Sequence, residues 1–151
     1  MVERAVIGIG NPLRGDDGAG REVARKLRPL ISPSIPVWEC QGGAVELVEM
    51  MGRARQVFLI DAVGGGGVAG EILRLSDKDR FDESPAASSH GLGLAQAIGL
   101  AEALGSLPER LSILGICGAR FSMGEEMGPE VSAAIDRVVR ILVDELGGIH
   151  A

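Results

Sequence analysis

The stretch that decides the fold is VIGIGNPLRGDDGAG, residues 6–20. The continuous apolar run at residues 5–9 is typical of a parallel strand that is buried on both faces. Residues 10–12, Gly-Asn-Pro, end that strand, and a helical pattern follows soon afterwards. Asp16 and Asp17 are therefore predicted on a loop at the carboxyl end of a first strand. In open α/β sheets, ligands bind at that edge.

The glycines of this loop do not predict a nucleotide site. Gly8 and Gly10 supply two glycines of a G-x-G-x-x-G fingerprint, but Leu13 occupies the third position. No G-x-x-x-x-G-K-[ST] phosphate loop occurs anywhere in the chain. Acids on a glycine-flanked turn suit a cation, or one of them caps the next helix. Since one cap suffices, we predict Asp16 as the cap or as a supporting partner and Asp17 as the group available for chemistry.

Length, charge and composition argue against several classes of protein. The 151 residues predict a single domain, residues 1–151, with a core of ordinary size. The net charge of −6 and the 3% aromatic content argue against a nucleic-acid partner. No apolar run is long enough to span a membrane, and the first residues lack the layout of a signal peptide. Cys40 and Cys117 lie in or beside apolar runs, so we expect buried free thiols in a cytoplasmic protein.

Strand and helix patterns alternate along the chain. Strands are predicted at residues 5–9, 35–40, 56–60, 71–75 and 111–117. Helices are predicted at residues 18–30, 44–51, 91–104 and 129–146. This alternation predicts an α/β fold, a three-layer α/β/α sandwich around a mostly parallel, roughly five-stranded twisted sheet. Strand 71–75 is expected near an edge, and helix 91–104, apolar nearly all round, is expected to be buried.

Two further polar residues stand where apolar elements begin or end. Asp61 directly follows the strand at 56–60, and His90 directly precedes the helix at 91–104. Taken alone, each is more often a capping or packing residue than a ligand. With Asp17 they form two carboxylates and one imidazole at one edge of the sheet, a set that suits nickel or zinc with positions open for substrate. Because the three residues are far apart in the sequence, they form no local metal-binding motif. The metal-site hypothesis and the interpretation as capping or packing residues therefore both stay open.

Several motifs resemble one known family. The segments GIGNPLRGDDGAG, FLIDAV, SSHGLGLAQAI, LSILGICGARF and MGPEV are similar to motifs of the hydrogenase maturation proteases. The resemblance extends from about residue 4 to residue 146. It implies an aspartyl-type endopeptidase that removes the C-terminal extension of a nickel–iron hydrogenase large-subunit precursor. It also implies that Asp17, Asp61 and His90 bind the metal, and that the nickel is carried by the precursor.

The same resemblance leaves alternatives open. The family usually has an Asp-Gly stretch with a Thr after the second strand, whereas residues 41–44 here read Gln-Gly-Gly-Ala. That departure favours a non-catalytic domain that binds a metal or a precursor without cutting it. A peptidyl-tRNA hydrolase shares the Gly-Asn-Pro strand end, but the acidic loop and the negative net charge disagree with it. The choice of general base between Asp17 and Asp61, the metal content of the resting protein and the oligomeric state stay open.

Overall fold

The computed structural model describes residues 1–65, 67–76 and 89–148, and for residues 89–92 it describes the main chain alone. The strands are β1 (Val2–Ile9), β2 (Val37–Cys40), β3 (Ala54–Val63), β4 (Ile72–Ser76) and β5 (Arg110–Cys117). The helices are α1 (Ala19–Leu27), α2 (Ala44–Met51), α3 (Ser89–Leu104) and α4 (Pro129–Leu146). Short 3₁₀ turns at Gly15–Gly18 and Arg28–Leu30 flank α1. The predicted alternation of strands and helices is confirmed.

The strands form one sheet in the order β2-β1-β3-β5-β4. The pairs β1–β2, β1–β3 and β3–β5 are parallel, and β4 pairs antiparallel with β5 at the edge. Both the mostly parallel sheet and the edge position of β4 were predicted. Most of the loop predicted between β4 and α3, residues 77–88, lies outside the described residues, as do Gly66 and His150.

Apolar side chains on both faces of the sheet make the three layers. Alternate residues of β3 point to opposite faces, as the pleat of a strand requires. Phe58 and Ile60 pack with the apolar sides of α1 and α4, and Val57 and Leu59 pack with those of α2 and α3. The predicted α/β/α sandwich is therefore confirmed.

Helix α1 lies unusually close to the sheet because of a glycine. A Cβ on Gly20 would overlap the carbonyl oxygens of Ile9 and Ile60, and a Cβ on Gly8 would overlap the carbonyl oxygen of Gly20. No side chain fits between α1 and these two strands at this level. The start of α1, and the acidic loop before it, are thus held directly above the ends of β1 and β3.

Two predicted helices differ from those observed. The helix predicted at 18–30 is α-helical only over Ala19–Leu27, because the two 3₁₀ turns occupy its ends, the second of them containing Pro29. The prediction that the third helix, α3, is buried is wrong for its outer side. Its outer side carries glycine, alanine and glutamate, and it exposes 39% of Leu100 and 65% of Leu104.

The prediction for the two cysteines agrees with the structure. Cys40 and Cys117 are both free and buried. Within the described ranges, no helix combines the length and the apolar character that crossing a bilayer demands.

Candidate active site

Asp61 lies inside a strand, which differs from the prediction that it follows one. β3 continues to Val63 because β5 keeps pairing with it as far as Cys117. The carboxylate is 2% exposed, and its Oδ1 accepts a hydrogen bond of 2.8 Å from the N–H of Ala62. By the alternation of the strand, Asp61 belongs to the same face as Val57, which is the face covered by α2 and α3.

Asp17 lies on the 3₁₀ turn between β1 and α1 and is fully buried. Its Oδ2 accepts a hydrogen bond of 3.1 Å from the N–H of Asn11. The main chain of Asp17 rests against Gly10, which has φ 149°, and a Cβ there would overlap the Asp17 carbonyl oxygen. Only glycine therefore lets the chain turn back over the strand end.

The two acids lie at the same edge of the sheet. The 3₁₀ turn that carries Asp17 packs against β3, the strand that carries Asp61. One turn of helix after Asp17, Gly20 touches the carbonyl of Ile60, the residue directly before Asp61. The structure therefore brings together two of the three residues that the sequence singled out.

His90 belongs to the first turn of α3. A Cβ on Gly93, one turn further along α3, would lie 3.1 Å from the carbonyl oxygen of Gly42 in the loop after β2. The main chain at the start of α3 is thus at the carboxyl edge of the sheet, and α3 also packs against β3. The imidazole of His90 lies outside the described residues.

Asp16 does not cap α1, so of the two roles predicted for it, cap or supporting partner, the cap is wrong. The residue before α1 is Gly18, and no side chain bonds to the start of the helix. The Asp16 carboxylate instead accepts main-chain hydrogen bonds of 2.8 Å each from Ala119, Arg120 and Gly128. It holds the loop after β5 and the start of α4 against the acidic loop. Since these partners are more than a hundred residues away, nothing near Asp16 in the sequence indicates this role.

Cys40, the last residue of β2, is buried at this edge and lies near two acidic residues. Burial is the main cause that raises the pKa of the Cys40 thiol above its usual range. The negative charges of Glu46 and Asp61 raise that pKa further, against a hydrogen bond from the Gly42 N–H that lowers it. The thiol is therefore protonated at neutral pH.

The donor atoms available here are mainly carboxylate oxygens. Among the residues whose side chains are described, no cluster of three or more His, Cys, Asp and Glu is arranged to hold a metal ion. Asp17 and Asp61 supply two oxygen-bearing groups, and borderline divalent ions accept such oxygens together with imidazole nitrogen.

Comparison with known proteins identifies the family. Residues 30–145 match the family model HycI, described as hydrogenase maturation protease. The hydrogenase expression/formation protein HupD of Thiocapsa roseopersicina is 28% identical over 149 residues, covering 95% of this chain and 67% of that protein. A putative hydrogenase maturation protease of Methanocaldococcus jannaschii is 27% identical over 150 residues, covering 93% of this chain and 94% of that protein.

Solved structures share the fold. The hydrogenase maturating endopeptidase HybD from E. coli superposes with a TM-score of 0.74 at 23% identity, covering 97% of this chain and 95% of that one. The nickel–iron hydrogenase maturation protease HycI from Thermococcus kodakarensis gives a TM-score of 0.73 at 23% identity, covering 96% and 92%. With its α/β/α fold and its buried acids at one sheet edge, the chain belongs to the hydrogenase maturation protease family, and it is a peptidase that acts in hydrogenase maturation.

Proposed function

We propose that this peptidase removes the C-terminal extension of a nickel–iron hydrogenase large-subunit precursor after nickel has been inserted. One observation carries the proposal. Two carboxylates, Asp17 and Asp61, are buried at the same carboxyl edge of the sheet, where the first turn of α3 carries His90. Buried acids that serve only packing are rare, because removing a charge from water is unfavourable.

In this proposal the nickel is part of the substrate. Asp17, Asp61 and His90 approach the ion in the precursor and fix the position of the peptide bond beside it. A water oxygen adds to the carbonyl carbon, the carbon–nitrogen bond breaks, and the proton lost by the water passes to the leaving amine. The nickel polarises the carbonyl or lowers the pKa of the water. Asp17 and Asp61 are the two candidates for the base that takes the proton.

The imidazole must be neutral to bind a metal. We therefore expect the activity to fall in acid as His90 becomes protonated. The rate of processing, followed at several pH values with the folded state checked by circular dichroism, tests this role of His90.

A second function is favoured by one specific feature. The loop at residues 41–44, Gln-Gly-Gly-Ala, lacks the acid and the threonine that the resemblance leads one to expect. Gly42 of this loop lies against the start of α3, so the departure falls beside the proposed site. A domain that binds the precursor without cutting it is the alternative that this feature supports.

Substitution of the three site residues separates the two functions. Precursor from the same host is incubated with wild type, Asp17→Asn, Asp61→Asn and His90→Ala, and its length is read by mass spectrometry. We expect each variant to remain folded and to process at least about a hundredfold more slowly. The exposed acid Asp136 provides the control, since Asp136→Asn should process like wild type.

Either of two results would contradict the proposal. A variant that processes at the wild-type rate would remove its residue from the site. Wild type that binds the nickel-loaded precursor and leaves its length unchanged would establish the binding domain instead.

A further inference from the structure

Exposed apolar side chains surround the edge that carries the acids. The four strands β1, β2, β3 and β5 run parallel, so their carboxyl ends meet at this edge. Each is followed by one large apolar side chain that is mostly exposed: Leu13 at 64%, Val45 at 67%, Val68 at 76% and Met123 at 66%. Apolar groups concentrated around a site are typical of surfaces that bind another protein.

Two of these residues are held next to each other. The carbonyl oxygen of Leu13 accepts a hydrogen bond of 2.8 Å from the N–H of Gly124, the residue after Met123. The neighbouring Arg14 donates from Nε to the carbonyl oxygen of Phe121 at 2.9 Å. The loops after β1 and β5 are therefore bonded together at the position where these two side chains project. We call Leu13 and Met123 the apolar pair.

The apolar pair is also linked directly to the proposed site. The N–H of Leu13 donates to Asn11 Oδ1 at 3.0 Å, and the N–H of Asn11 donates to Asp17 Oδ2 at 3.1 Å. On the other loop, Asp16 fixes the main chain of Ala119. The apolar pair is therefore two hydrogen bonds away from the Asp17 carboxylate, on the loops that carry and hold the acids.

We propose that the apolar pair is the docking point for a nonpolar segment of the hydrogenase precursor beside the bond that is cleaved. This inference rests on the proposed function, because it names the surface on which that substrate is held. The main chain of both residues is already held by hydrogen bonds. A partner can therefore bury their apolar side chains with little further loss of backbone entropy. The partner must therefore bring apolar side chains to this position.

The test compares two polar substitutions with a matched control at the other end of the sheet. In Leu13→Ser/Met123→Ser, we expect the KM for the nickel-loaded precursor to rise about tenfold or more, with kcat changed by less than about twofold. Leu104 has the same side chain as Leu13 and is 65% exposed, but it ends α3 shortly before β5 begins. Leu104→Ser should keep the wild-type KM.

The outcomes separate this inference from the proposed function. If wild type does not shorten the precursor, the proposed function fails whatever the variants do. If wild type cleaves and the double variant keeps the KM of Leu104→Ser, or loses kcat alone, the docking proposal is overturned. If the double variant changes only the oligomeric state of the protein, then a second copy covers the apolar pair. That result also overturns the docking proposal.

Discussion

Asp16 and Asp17 are neighbours in the chain and have different surroundings. Asp16 accepts three main-chain hydrogen bonds from the loop after β5 and the residue before α4. Asp17 accepts a hydrogen bond from the N–H of Asn11 in its own loop and lies on a turn that packs against the strand carrying Asp61. Asp16 therefore holds the loop after β5 and the start of α4 to the acidic loop. Asp17 is the acid proposed to act on substrate.

Replacing Asp16 tests its role in joining the loops. Asp16→Asn keeps the size of the side chain, but an amide cannot accept hydrogen bonds at both ends, and at least one main-chain N–H loses its partner. We expect the free energy of unfolding to fall by about 2 kcal/mol or more, measured by urea denaturation. Asp136→Asn, at an exposed position of α4, is the control and should change it little. An Asp16→Asn protein as stable as this control would contradict the role.

Sequence reasoning reached the site through residues at strand ends. Asp17 stood out on the loop after the first predicted strand and Asp61 directly after the third, and parallel strands gather their carboxyl ends at one edge. The role of Asp16 could not be predicted in this way, because its partners are 103, 104 and 112 residues away. Exposure of Leu13 and Met123 likewise depends on loops that pair only in the folded molecule.

Among the elements, α1 has the tightest packing constraint. Its first turn lies on β1 and β3 with only the hydrogen of Gly20 between the main chains. Any side chain at that position must lift the helix from the sheet, and the acidic loop would move with it.

Two glycine substitutions in helices should have opposite effects. Gly20→Ala places a methyl group against the carbonyls of Ile9 and Ile60, which cannot move aside, so we expect a loss of about 3 kcal/mol or more. Gly99 in α3 has no atom within 4 Å of the position of an added Cβ. There Gly99→Ala should stabilise the protein by about 0.5–1 kcal/mol, through helix propensity alone. Thermal or urea unfolding of the two variants measures both effects, and equal changes would contradict this packing.

The connection between α1 and β2 depends on one carboxylate and three guanidinium groups. Glu39 accepts hydrogen bonds from Arg21 and Arg25 at 3.1 Å and from Arg28 at 3.2 Å. Burial acts to raise the pKa of the Glu39 carboxyl, but the hydrogen bonds from Arg21 and Arg28 and the charge of Arg25 outweigh it, so the pKa is lowered.

This lowered pKa predicts a pH-dependent contribution to stability. A carboxyl with a lower pKa in the folded state stabilises the protein above its unfolded pKa, and that contribution is lost as the pH falls through the folded value. Because the arginines are partly exposed, we expect Glu39→Gln to lower the free energy of unfolding by only about 1 kcal/mol at neutral pH. The difference from wild type should shrink as the pH falls below the unfolded pKa of Glu39 and vanish once the pH is below the folded pKa. A difference that persists in acid, measured by urea denaturation, would show that packing and not charge is responsible.

The elements themselves were largely predictable, and their ends were not. The bounds of α2 and α4 are those predicted, because apolar residues at helical spacing and a glycine or proline at the start mark both helices. β3 extends beyond its prediction because pairing with β5 continues past the apolar run. α3 was predicted as buried because its alanines and glycines score as apolar, yet Leu100 and Leu104 on its outer side are exposed.

At the scale of the whole molecule, one edge of the sheet collects the features proposed to act on substrate. The acids, the start of α3 and the exposed apolar residues all follow the carboxyl ends of parallel strands. The amino ends of those strands carry exposed ion pairs instead, such as Arg55 with Glu3 and Glu109. The fold thus places the proposed site and the exposed apolar residues on one face of a protein whose family matures hydrogenases.

The most direct test of the central claim is the mass of the precursor with and without nickel. Immature large subunit from the same host is prepared in both forms, incubated with the protein, and measured by mass spectrometry. We predict that only the nickel-loaded precursor loses a C-terminal peptide, and that Asp61→Asn abolishes the loss. Equal shortening of both forms would contradict recognition through nickel, and shortening of neither, with binding retained, would contradict the protease.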